Sequence, residues 1–171
     1  MNNLSKISIC QAGLFLDYMK AKQYSLFKFS IGEDFERFEF SLEHLSAITS
    51  NHSVIFETYR YAKTDIKTFL GYHVKQILLS YSSNILAGVT YILQTKKFKE
   101  VLTLTYPYFF QSEDKYYGYV KPYTRHKCVT QEGCIIDIIL IKRTTVVMLT
   151  HTKYGLTYED VLGKTEVKHF K

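Results

Sequence analysis

Between Gly133 and Lys153 the chain reads Gly-Cys-Ile-Ile-Asp-Ile-Ile-Leu-Ile-Lys-Arg-Thr-Thr-Val-Val-Met-Leu-Thr-His-Thr-Lys. Two β-branched, apolar runs flank a polar break at Lys142-Arg143-Thr144, the pattern of two central strands joined by a tight turn. Over 135–141 both alternating faces are apolar except at Asp137. A strand of that kind is buried on both sides, so each face needs a cover.

Other periodicities fill in the rest. Residues 4–29 show near-helical spacing of Ile7, Cys10, Leu14, Phe15, Tyr18 and Met19 after a capping Ser5. Over 24–40, phenylalanines alternate with polar residues, which predicts a strand with a turn at Gly32-Glu33-Asp34. Ser41 then caps a short predicted helix carrying Leu42, Leu45 and Ile48. Residues 54–61 have strand composition. The strongest helical signal covers 65–81, where Ile66, Phe69, Leu70, Val74, Ile77, Leu78 and Tyr81 form one stripe behind a Thr64 cap. Segments 84–95 and 98–106 predict a hairpin with Lys96-Lys97 near its turn and Leu102 and Leu104 alternating with Thr103 and Thr105. A polar loop at 111–115, an extended segment at 116–130, a turn at Gln131-Glu132-Gly133 and a short helix at 158–162 complete the reading.

Strands that are neighbours in sequence with short turns pair antiparallel. The expected class is α+β: one domain over 1–171, an antiparallel sheet of about five to seven strands, and helices packed on one face. Within it, 1–50 is an N-terminal helical and extended segment, 51–154 the helix-plus-sheet core, and 155–171 a tail. Curved sheets of this kind, as in PAS-like or cystatin-like folds, hold ligands between helix and sheet, an analogy of architecture alone.

Composition sharpens this picture in three places. Hydrophobic residues make up 46% and charged ones 22%, enough for a real core in 171 residues. Fifteen Tyr and twelve Phe with no Trp make an unusual aromatic share. Three cysteines, an odd number, argue against a disulfide framework and for a reducing, cytoplasmic setting, with Cys10 a small core residue. No apolar run is long enough to span a membrane, and the first residues lack the pattern of a secretory signal.

The net charge of +6 is uneven: −1 over 1–50, +3 over 51–120 and +4 over 121–171. A basic C-terminal half is suited to phosphates, an anionic membrane surface or an acidic protein, unless its lysines only keep the surface soluble. The aromatic and basic run at 116–127 offers Tyr116, Tyr117, Tyr119 and Tyr123 for stacking or interface anchoring, and Lys121, Arg125 and Lys127 for anions. The structural alternative is an edge strand whose cations discourage pairing.

Four metal-ligand types gather late in the chain: His126, Cys128, Cys134 and His151. They converge into a zinc tetrahedron only if both turns bring them into register. Asp137 is the single charge inside the buried run, so it must be paired, hydrogen-bonded or neutralised, with Arg125, Arg143 or a tyrosine hydroxyl as partner.

Two local resemblances follow. Asp137 on one strand, with His151-Thr152-Lys153 ending the next, resembles the layout of PD-(D/E)xK nucleases, where an Asp and a Glu-x-Lys hold magnesium. The family's Glu is His151 here, a poor magnesium ligand. Tyr158-Glu159-Asp160-Val161-Leu162-Gly163-Lys164 resembles the Glu-(Glu/Asp)-x-Leu-Gly-Lys phrase of PAS domains, at the opposite end of the fold. There is no phosphate-binding glycine loop, nucleophile elbow or His-Glu-x-x-His, which points away from an enzyme. The leading expectation is a non-catalytic binding module without a cofactor. It would meet a protein or small ligand through the 116–127 surface or a helix–sheet cleft. The alternative is nucleic-acid binding or cleavage through the basic C-terminal half.

Overall fold

A computed structural model describes residues 26–50, 53–105, 116–120, 123–129 and 133–164, without the side chains of 116–120, 123, 124, 128, 163 and 164. Its strands are β1 (Leu42–Thr49), β2 (Ile55–Tyr61), β3 (Thr68–Phe69), β4 (Tyr72–Ser82), β5 (Ile85–Leu93), β6 (Tyr116–Val120), β7 (Tyr123–Val129), β8 (Cys134–Ile141) and β9 (Thr144–His151). Helix α1 is Phe98–Thr105 and helix α2 is Tyr158–Lys164. Eight strands form one antiparallel sheet in the order β1-β2-β4-β5-β9-β8-β7-β6, and β3 pairs with the start of β4. Two meanders are thus joined where β9 returns beside β5.

The predicted central hairpin is present. Cys134 faces His151 at one end and Ile141 faces Thr144 at the other, across a Lys142-Arg143 turn with Lys142 at φ 55°. Alternation sends Ile136 and Ile138 to one face and Ile139 to the other. The first face holds Phe27, Phe29, Phe69, Val74, Ile77, Leu79, Tyr81 and Tyr91. The second holds Phe56, Leu78, Ile92, Val146 and Met148. Each has its cover. The arm at 26–38 and α1 pack on the first face, and Leu156, Tyr158, Val161 and Leu162 pack on the second. The helices therefore do not gather on one face. Gly88 makes the second cover possible, because a Cβ there would sit 2.6 Å from Leu156 Cδ2.

Three predicted elements are replaced. The stripe at 65–81 is the β3–β4 hairpin: Leu70 and Gly71 have φ of 52° and 81°, a two-residue left-handed turn between the paired Phe69 and Tyr72. Its helical spacing comes from a β-bulge. Val74 pairs with Leu93 and Gln76 with Ile92, so Lys75 is an extra residue, and the first-face positions run Val74, Ile77, Leu79, Tyr81. The helix expected after Ser41 is β1, where a bulge between His44 and Ser46 likewise puts Leu42 against the first core and Ile48 in the second. The strand expected at 98–106 is α1, whose Phe98, Val101, Leu102 and Thr105 meet the first core or are buried at helical spacing. Its threonines are accommodated by bonding back along the helix: Thr103 Oγ1 donates to Lys99 O at 2.9 Å and Thr105 Oγ1 to Val101 O at 3.0 Å.

In the 24–40 segment, the chain turns at Ile31-Gly32 and then forms 3₁₀ turns at Phe35–Arg37 and Glu39–Ser41, touching the sheet through one bridge between Asp34 and Ile85. The expected helix at 4–29 and the loop at 111–115 fall almost wholly or wholly outside the described residues. The C-terminal helix is found at α2. It carries a reciprocal cap: Thr157 N donates to Asp160 Oδ2 at 3.1 Å and Asp160 N to Thr157 Oγ1 at 3.3 Å. Among the described residues, no helix is long and apolar enough to cross a membrane.

Candidate functional site

The cleft with the most ligand-like lining lies between α1 and the β7–β8 end of the sheet, with a volume of about 720 Å³. Its position is fixed by the turn leaving β5. Thr95 N bonds Leu93 O at 2.8 Å, Lys97 N bonds Thr95 Oγ1 at 3.0 Å, and Thr145 Oγ1 on β9 donates to Thr95 O at 2.9 Å. Phe98 and Val101 then plant α1 on the first face. Phe98, Leu102 and Leu140 give the cleft an apolar lining, and Lys96, Lys99 and His126 add basic groups.

Glu100 is the cleft's single carboxylate among the described residues, and it is already engaged. The Tyr72 hydroxyl donates to it at 2.6 Å and Lys97 Nζ lies at 3.0 Å. The tyrosine bond, then the lysine, hold its carboxyl below the usual range. Lys96 and Lys99 have no ion pair among the described residues. The cleft therefore offers an apolar body site beside an excess of positive charge.

Asp137 lies on the second face, 4% exposed, under α2. Arg125 grips it with both arms of its fork: Nε donates to Oδ1 at 2.7 Å and Nη2 to Oδ2 at 2.9 Å. The same guanidinium lies 4.3 Å from the Tyr158 ring centre and 3.7 Å from Glu159 Oε1 on α2. Burial pushes the Asp137 carboxyl above its usual range, and the Arg125 pair pulls against that shift. Both carboxylate oxygens are occupied by Arg125, so the arrangement fixes β7, β8 and α2 together.

The sequence-predicted residues divide accordingly. Arg125 borders the cleft from β7, with its guanidinium turned to the opposite face. Lys127 pairs in register with Asp137, and Tyr116 with Lys127. Tyr117 is opposite His126, Tyr119 is opposite Thr124, and Tyr123 pairs with Val120. Lys121 lies outside the described residues, as do the side chains of those four tyrosines and Cys128.

For the metal set, Cys134 does fall opposite His151. Cys128 is opposite Ile136 and His126 opposite Ile138, so His126 is four strand positions from the Cys134 level, about 13 Å of rise. A tetrahedral site with bonds near 2 Å cannot span that distance. Among the described residues no three His, Cys, Asp or Glu side chains converge on a cation position. Cys134 is partly buried against the first core, and His151 Nδ1 accepts from Lys153 N at 3.1 Å, starting the 3₁₀ turn Thr152–Tyr154.

Comparison with protein-family models, with curated proteins and with solved structures finds no match to this chain. The alternation of Leu102 and Leu104 with Thr103 and Thr105 imitates a strand and hides Lys99 as a cleft residue. The usable signal was Phe98, Val101, Leu102 and Thr105 at i, i+3, i+4 and i+7.

Proposed function

We propose that this protein is a non-catalytic binding module whose α1 cleft takes a small amphiphilic anion, with its apolar body against Phe98, Leu102 and Leu140 and its charged head near Lys96 and Lys99. The observation that carries this reading is the joint presence of an apolar lining, a lysine rim and a volume within the usual range of ligand sites. No nucleophile or acid–base pair is invoked, because the carboxylates at hand are engaged, Glu100 by Tyr72 and Lys97 and Asp137 by Arg125.

The chain has no tryptophan, so Thr103→Trp places a single reporter on the cleft. Laurate should shift its emission to shorter wavelength saturably at or below about 1 mM. Dodecanol should act more weakly, and Lys96→Glu with Lys99→Glu should weaken the laurate response. An unchanged spectrum, or a response indifferent to the lysines, rejects the proposal.

A further inference from the structure

A second groove, of about 460 Å³, separates the arm that follows β2 from the first half of β4. Its shape comes from a mismatch in chain length. Pairing of β2 with β4 stops at Arg60 and Leu78. The banks meet again where Val74 N donates to Lys67 O at 2.9 Å. One bank takes seven residue steps between these ties and the other takes four, so the longer bank bows outward. Backbone bonding closes both ends, and the concavity exists before any ligand arrives.

Charge fills this cradle unequally. Arg60, Lys63, Lys67 and Lys75 line it together with His73, while Glu43 is its single acid among the described residues. Glu43 is already matched, accepting Arg60 Nε at 3.1 Å and Nη2 of the same fork. Lys63, Lys67 and His73 are exposed. Lys63 and Lys67 have no ion pair among the described residues, so this concave site holds an excess of positive charge, which a compact, multiply charged anion relieves. Lysine meets such charge as a point donor, the way it meets phosphate chains. A groove tied at both ends does not let an extended peptide or polynucleotide run through it.

We infer that the β2–β4 groove binds a compact oligophosphate, a chain of two or three phosphate groups held by Lys63 and Lys67 on one bank and by His73 and Lys75 on the other. The phosphate chain is either inorganic or the end of a nucleotide. This site is separate from the α1 cleft.

Calorimetry on the full chain at low salt, with inorganic tripolyphosphate as the probe, tests it. Saturable binding near one equivalent is expected. Lys63→Glu with Lys67→Glu should weaken it about tenfold or more and flatten its salt dependence. Lys96→Glu with Lys99→Glu, in the other cleft, should leave it unchanged. ATP binding more tightly than tripolyphosphate would assign the chain to a nucleotide, and equal or weaker ATP binding to an inorganic source; either supports the site. Absence of saturable heat, native affinity in the Lys63/Lys67 variant, or loss in the Lys96/Lys99 variant overturns it. Displacement of tripolyphosphate by a 5′-hydroxyl oligonucleotide of equal charge would also overturn it, since the ligand would not need to be compact.

Discussion

The two faces of the sheet are both buried, yet they are held by different physics. The first is a mesh of rings. Phe29 meets Phe38 and Tyr61 edge-on at 5.0 Å, Phe69 stacks on Tyr91 at 4.5 Å, and Phe35 reaches Tyr81 at 5.2 Å. The second is mostly aliphatic, with one charged pair, Arg125–Asp137, under its helical cover. Rings let the arm at 26–38, which contributes no strand, bury large area from few residues. The short α2 has less area to offer, and the guanidinium that holds Asp137 also stacks on its Tyr158. The contrast teaches that a cover with little regular structure needs large side chains, and a short cover gains from a directional anchor.

The comparison breaks most severely on the first face. Phe29 is 1% exposed, and Phe29→Ala should cost about 3–5 kcal/mol by urea denaturation. A cost below about 1 kcal/mol would mean that the arm does not cover this face.

On the second face the loss should depend on what remains. Asp137→Ala removes the carboxylate that holds both arms of the half-buried Arg125 and should cost about 3 kcal/mol, whereas Arg125→Met with Asp137→Leu should recover most of that loss. A double variant as unstable as the single would show that the pair contributes more than mutual compensation.

The smallest effect sharpens the contrast. The Tyr81 hydroxyl is buried without a hydrogen-bond partner among the described residues, and burial, then Glu33 and Tyr59, push its pKa well above the usual tyrosine value. Tyr81→Phe should be neutral or stabilising by up to about 1 kcal/mol. Burial and the Glu57 bond also push Tyr59 up to about 12. Since the folded values exceed the unfolded one of about 10, the tyrosines' contribution is intact below that pH and lost as pH rises through the folded values. Melting temperature should therefore fall in strong alkali, and less so in Tyr81→Phe. Tyrosinate absorbance that titrates fully near the ordinary value while the chain stays folded would contradict this placement.

How much of this was legible depended on how regular each strand is. The β8–β9 hairpin was readable because its alternation is unbroken and its turn is marked by Lys142-Arg143. Asp137 was readable as a residue needing a partner, since a lone charge among isoleucines leaves few options. The segments 42–48 and 65–81 misled because a bulge adds one residue and turns a spacing of two into three, which imitates a helix. Gly71 inside the supposed helical stripe was the available warning. A helix–sheet cleft was expected, but the place and lining of neither cleft could be seen in advance. The first needs α1 recognised as a helix, and the second arises from unequal chain lengths between two backbone ties, which no local pattern encodes.

The placement of the second cover has a consequence for how the protein is made. A ribosome releases β1 to β5 first, and β9, which must lie against β5, emerges only after the residues between 93 and 144. Leu156, Tyr158, Val161 and Leu162 follow later still. Until they emerge, Phe56, Leu78 and Ile92 have no roof, although the strands carrying them can already pair. The nascent chain therefore presents an adhesive half-sheet with its β5 edge open for about fifty residues of synthesis. That interval is when a holding chaperone would matter, and slower translation past β5 would lengthen it.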